Sequence, residues 1–223
     1  MKHLVILLIV LSLTSCVSNK SLTSSVKSNE INELSYFEPL AYIQYIEKGN
    51  NLKFSDSLSN ITRTKLDSIL VSNKSKLRIN DKINLSNDTI KFKFENEISY
   101  LSRLVNQNKT LEGIPLTPTI DSLLEINNQR FALGVVETGF GRRKGNYGGQ
   151  VVKSIFVGIL TLGLYIPTPI KASLSVEVFI FDSQNNEIAY YKKTAPVEKD
   201  PDNPEVIEKK VINLFEGYFY PKE

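Results

Sequence analysis

Apolar positions along this chain alternate between two spacings, and each change of spacing marks a new element. Leu40, Ala41, Tyr42, Ile43, Tyr45 and Ile46 form a dense β-prone run that Lys48-Gly49-Asn50-Asn51 ends, which predicts a mostly buried strand. Asp56 or Ser57 then caps a helix whose apolar positions are Leu58, Ile61, Leu66, Ile69 and Leu70. A short strand is expected over Lys76–Ile79 and a polar loop from Asn80 to Asp88. Ile90, Phe92 and Phe94 alternate with Lys91 and Lys93, the signature of a half-buried strand, and Ile98, Leu101, Leu104 and Val105 predict a helix after it.

Thr117-Pro118 reads as a helix start, with Thr as N-cap, Pro in the first turn and Ile120, Leu123 and Leu124 as the apolar face. Phe131–Val136 and Leu174–Phe181 are buried-strand candidates. Asp182 closes the second of these, Ser183-Gln184-Asn185-Asn186 turns the chain, and Ile188–Lys193 returns as a partner strand. The Pro-rich stretch from Pro196 to Pro204 is a loop, and Asn203-Pro204 starts a last helix with Ile207, Val211, Leu214, Phe215 and Tyr218 on one face. Helices thus interleave with strands while the last strands run together. The order predicts an α/β (α+β) sandwich, a mixed sheet covered by helices.

The first 35 residues follow another logic. Met1-Lys2-His3, an apolar run from Leu4 to Leu13 and then Thr14-Ser15-Cys16 make a secretory signal over 1–15. The run is too short to span a bilayer, which takes roughly 20 residues. Leu13-Thr14-Ser15-Cys16 resembles the bacterial lipobox. That resemblance implies cleavage before Cys16 and acylation of its sulfur and of its new amine, a stable membrane anchor because several chains hold where one does not. Val17 and Ser18 follow, with no Asp and no acidic run, which suggests the outer membrane and its periplasmic face. Residues 16–35 are poor in apolar side chains and predict the lipidated Cys plus a flexible tether, leaving 36–223 as one domain.

Composition then narrows the chemistry. At 41% hydrophobic and 23% charged, with a net charge of +3, the chain of 223 residues can bury a core and carries no strong field for nucleic acid. Its single His and single Cys are His3 and Cys16. After processing no imidazole and no free thiol remain, so the usual zinc and copper sites and the Ser-His-Asp and Cys-His nucleophile systems are unavailable. No metal or cofactor is expected. A carboxylate pair is the remaining catalytic option; Glu137 and Asp182, each at a strand end, would need to lie about 5 to 9.5 Å apart to hydrolyse a glycosidic bond.

Two stretches rise above background. Gly139-Phe140-Gly141-Arg142-Arg143-Lys144-Gly145, followed by Tyr147-Gly148-Gly149, reads as a basic Gly-rich loop. It matches no nucleotide-binding spacing, and Arg142, Arg143 and Lys144 are instead candidates for contact with a lipid headgroup or glycan. The segment 150–170 is an apolar excursion between two strands, uncharged from Ser154 to Ile170. Ile155, Phe156, Ile159, Leu160, Leu162, Leu164 and Tyr165 are its candidate contacts to the domain, to another copy or to the bilayer.

The strand Phe131–Val136, the strand into Asp182, the turn, Ile188–Tyr191 and the final helix resemble a periplasmic module. It recurs in the curli-secretion lipoprotein, the lipoprotein activator of penicillin-binding proteins and the amino-terminal domain of the Tol-system propeller protein. The resemblance implies an anticodon-binding-domain-like sandwich and a binding or assembly role. The expectation is a lipid-anchored, non-enzymatic envelope protein on the periplasmic side of the outer membrane, with envelope protein partners or self-association and no nucleic acid. An oligomeric export or pore-associated lipoprotein is the alternative, and an envelope polysaccharide hydrolase the second alternative.

Overall fold

The computed structural model describes residues 21–85, 87–162, 164 and 168–221. Within them, strand β1 (Leu22–Thr23) is followed by a single 3-10 turn at Ser28–Glu30. Strands β2 (Leu34–Phe37), β3 (Leu40–Ile46) and β4 (Leu52–Phe54) come next. Helices α1 (Asp56–Ser72) and α2 (Lys74–Leu77) lead to β5 (Ile79–Ile83). Helices α3 (Asp88–Asn108) and α4 (Pro118–Ile126), strand β6 (Phe131–Arg142), helix α5 (Asn146–Leu160), strands β7 (Ser173–Asp182) and β8 (Glu187–Lys193) and helix α6 (Pro204–Leu214) complete the chain. The mixed α/β architecture expected from the element order is present: one eight-stranded mixed sheet packed by helices.

The spine of the sheet is β6, twelve residues long, antiparallel to β7 over ten register pairs from Phe131↔Asp182 to Phe140↔Ser173. Its other edge takes two strands in succession, both parallel to it. β2 pairs with Ala132 and Leu133, and β3 pairs from Val136 to Arg142. β5 then extends the β2 half and β4 the β3 half. On the far side β8 pairs with β7, and β1 with β8.

Alternate residues of β6 point to opposite layers, as the period of two requires. Phe131, Leu133 and Val135 join Leu66 and Leu70 of α1 and Ile207, Val211 and Leu214 of α6 in one core. Ala132 and Val136 join Phe94, Ile98, Leu101 and Val105 of α3 and Ile120 and Leu124 of α4 in the other. The second core holds a run of rings, Phe94 against Phe37 at 4.7 Å between centroids and Phe179 against Phe181 at 5.7 Å. Tyr190 anchors the first core by donating its hydroxyl hydrogen to the Leu214 carbonyl.

Four expectations change. The alternation at Ile90, Phe92 and Phe94 belongs to α3, not to a strand: Ile90, Phe94, Ile98, Leu101 and Val105 also fit a helical stripe, and the Asn87 side chain caps the helix by accepting from the Ile90 amide. Residues 76–88 divide differently, into the end of α2, a strand over Ile79–Ile83 and a short connection to α3. The tether ends earlier than residue 35, because β1 pairs with β8 and Val26 and Ile31 are buried in the first core. Finally, the Gly-rich stretch is not one loop. Gly139 and Gly141 lie inside β6, and Asn146 already starts α5.

Candidate functional site

One end of the sheet gathers the unusual features. There β6 runs out at Arg142, β7 begins at Ser173, and the β3–β4 hairpin turns through Lys48–Asn51. Gly139 allows the strands to close here, since a Cβ on it would stand 2.2 Å from the Ser173 carbonyl oxygen. Gly145, with φ of 86°, then turns the chain into α5 through a conformation that other residues adopt only at a cost.

The three predicted basic residues come to this end, but they divide into two roles. Arg142 is a staple. Its guanidinium donates to the Gly49 carbonyl at 2.7 Å, the Asn50 Oδ1 at 3.1 Å and the Ile170 carbonyl at 3.0 Å, tying the β3–β4 turn to the segment before β7. Asn146 adds a second bond to the Gly49 carbonyl at 3.0 Å. Arg142 is therefore occupied by the fold and is not the free anion contact its sequence suggested. Arg143 and Lys144 are exposed and join no ion pair among the described residues. They rim a cleft of about 330 Å³ whose walls include Tyr45, Tyr147, Lys171 and Asp202.

The apolar excursion forms α5, and its faces are inverted. The side turned to the protein is mostly small: Ser154 and Gly158 are buried, and Gln150, Lys153 and Val157 line the groove beneath with Asn50 and Pro169. The outer side is apolar. Val152 is 67% exposed, Phe156 62% and Leu162 91%, and Ile155, Ile159, Leu160 and Leu164 are exposed with them. Tyr165 lies outside the described residues. Among the described residues no helix is long and apolar enough to cross a membrane.

The carboxylate pair is not a site. Asp182 sits at the opposite end of β6, paired with Phe131, while Glu137 lies six residues along that strand, about 20 Å away at strand rise. Asp182 is fully buried and committed. Arg130 donates to both of its oxygens at 3.1 and 3.0 Å, and the amides of Gln184 and Asn185 donate to Oδ1 to form the turn.

Glu137 is also fully buried, and neither of its oxygens has a hydrogen-bond partner. Burial, reinforced by Asp202 and opposed by Lys65, pushes its carboxyl up to about 9. The sequence placed Glu137 at a strand end; it lies inside β6, paired with Val176, and no local signal marked it as buried. Another buried carboxylate, Glu177, is by contrast well served. Ser102 donates to it at 2.9 Å and Tyr191 at 2.9 Å, and Lys193 stands 3.5 Å away. No three His, Cys, Asp or Glu side chains cluster as metal ligands among the described residues.

No family model matches the chain, and no curated protein is similar to it in sequence. Among solved structures it is similar to a PelC dodecamer from Paraburkholderia phytofirmans, at 6% identity and a TM-score of 0.37, over 91% of this chain and 97% of that one. It is similar to the LpoB C-terminal domain from Salmonella enterica, at 9% identity and a TM-score of 0.31, over 79% and 88%. A DUF4136 family protein from Bacteroides thetaiotaomicron aligns at 7% identity and a TM-score of 0.34, over 91% and 97%.

Proposed function

We propose that this chain is a lipid-anchored envelope protein that binds or assembles other components and performs no catalysis. Leu13-Thr14-Ser15-Cys16 at the close of a short apolar leader carries the reading, since cleavage there leaves Cys16 as the point of acylation. Processing also removes the single His and uses the single thiol, which leaves little for nucleophilic or metal chemistry. The separation of about 20 Å between Glu137 and Asp182 along the strand speaks against the glycosidase arrangement. Val17-Ser18 after the Cys favours the outer membrane, with the domain on the periplasmic side.

The test is processing. The full-length chain, expressed in a bacterium, is expected to partition into detergent, with a mature mass that starts at residue 16 and carries acyl chains. Cys16→Ser is expected to lose the acyl mass and the partition. A wild-type chain that is cut without gaining acyl mass would make this a plain secreted protein.

The bare outer face of α5 supports a second reading, an oligomeric export-associated lipoprotein. Light scattering on the Cys16→Ser chain tests it: a discrete oligomer that dissociates when 151–170 is shortened favours this reading, and a monomer in both forms removes it.

A further inference from the structure

The outer face of α5 has a direction and an electrostatic setting, and both name its occupant. From Thr138 to Val176 the chain contains no Asp or Glu, and it contains five cations: Arg142, Arg143, Lys144, Lys153 and Lys171. All but Arg142 are exposed and join no ion pair among the described residues. Asp200 and Asp202 share the cleft with Arg143, Lys144 and Lys171, and Glu198 accepts from the Lys171 amide, so the cations exceed the acids they face by a small margin and Lys153 stands on the helix itself. Two copies meeting through this face would bring those cations together, a like-charge contact that opposes association. An anionic bilayer surface satisfies both parts at once, with cations at the headgroups and apolar side chains at the acyl boundary.

The route of the chain agrees. β1 is antiparallel to β8, with Leu22 opposite Tyr191 and Thr23 opposite Tyr190. Tyr191 lies opposite Phe179, and β7 runs from there back to Ser173 at the α5 end. The backbone that precedes Leu22 therefore enters β1 from the direction of α5. Leu22 lies six chain steps after Cys16, a reach of about 20 Å when extended, and the six steps from Phe179 back to Ser173 cover about the same distance. An acyl anchor at Cys16 and helix α5 can thus meet one plane.

We infer that α5 is a second membrane contact: it lies in the surface of an anionic phospholipid bilayer, inserts Val152, Ile155, Phe156, Ile159 and Leu160, and holds headgroup phosphates with Arg143, Lys144, Lys153 and Lys171. Together with the anchor it fixes how the domain stands on the membrane. The orientation rests on Cys16 being acylated, whereas the insertion does not, and the experiment separates them by using the unacylated chain.

Chain 16–223 carrying Cys16→Ser is mixed with vesicles of phosphatidylethanolamine and phosphatidylglycerol, or of phosphatidylcholine alone, and sedimented. Binding is expected to the first and at least tenfold weaker to the second. Phe156→Ser with Ile159→Ser is expected to abolish binding while the far-ultraviolet circular dichroism stays unchanged. Lys144→Gln and Lys153→Gln are each expected to weaken it about fivefold, and 1 M salt, which shortens screening to about 3 Å, to remove most of it. Absence of binding to phosphatidylglycerol vesicles would overturn the inference. So would undiminished binding by the double variant, or a dimer in light scattering that the double variant dissolves without any vesicle binding in the parent, which would assign the face to a second copy.

Discussion

Helices α3 and α5 each carry a stripe of large apolar residues, and they spend it in opposite ways. α3 turns Phe94, Ile98, Leu101 and Val105 onto the sheet and leaves its charged residues outside, with Phe92 and Tyr100 exposed among them. α5 turns Ser154 and Gly158 inward and leaves Phe156, Ile159 and Leu160 bare. Connections explain the difference. α3 sits between β5 and α4 with enough chain on either side to fold back over the sheet. α5 leaves the end of β6 through Gly145, is pinned at its base by Arg142 and Asn146, and never reaches a sheet face. An apolar stripe therefore announces a helix, while the topology decides whether the protein or something outside it covers that stripe.

The contrast is sharpest in truncation. Phe181→Ala removes a ring that is fully buried between Phe37 and Phe179, and is expected to cost about 3–5 kcal/mol in urea unfolding. A loss under about 1 kcal/mol would mean that the α3 side of the sheet is loosely packed and that the two helices differ less than their burial says.

Glu137 tests an ionisable group hidden in the α1–α6 layer. Its carboxyl titrates near 9 when folded and near 4.5 when unfolded, so the folded chain holds the extra proton between those values. Stability from this group is whole below about pH 4.5 and declines as pH rises toward 9, by at most about 1.4 kcal/mol per unit. Glu137→Gln is expected to flatten that decline, leaving the variant more stable than the parent by a few kcal/mol, about 3 at most at pH 7. Equal pH profiles for parent and variant would show that Glu137 is hydrated or paired in solution.

Arg142 and Arg143 are neighbours with unlike duties, and the difference between them was not visible in sequence. Arg142→Ala is expected to lower stability by about 1–3 kcal/mol, since it frees the Ile170 carbonyl and leaves Gly49 held by Asn146 alone. Arg143→Ala is expected to stay within about 0.5 kcal/mol. Equal effects in thermal unfolding would cancel the division between staple and free cation.

Much of the sheet was legible in the order of the residues. The β7–β8 hairpin was readable because Asp182 and the Asn-rich turn sit between two apolar runs, and α6 because its apolar face is regular from Ile207 to Leu214. The misread places share a cause: short patterns satisfy two periods at once. Ile90-Lys-Phe-Lys-Phe94 alternates like a strand, and only the stripe through Ile98 and Leu101 resolves it as a helix. Gly139 looked like a loop residue, yet it is a strand residue selected by the approach of the Ser173 backbone, which no local spacing encodes. At the candidate site the residue types were legible but their allocation was not. The hydrogen bonds of Arg142 cross from residue 142 to residues 49 and 170, so they exist only once the sheet has closed.

The smallest effect carries the comparison furthest. Phe156→Ser exchanges a large apolar side chain for a small polar one, a change that in a core costs several kcal/mol. On α5 the ring is mostly in solvent, so the folded chain gives up little packing, and unfolding in urea is expected to shift by less than about 0.5 kcal/mol. If stability falls by 2 kcal/mol or more instead, the ring is covered by the protein itself, and α5 belongs with α3 as a core helix. If stability holds, the fold does not need the ring, and what sets Phe156 apart from the equally bare Phe92 of α3 is that Ile155, Ile159 and Leu160 are exposed beside it as one patch. Stability retained with surface affinity lost is the signature that separates a helix made for packing from a helix made for contact.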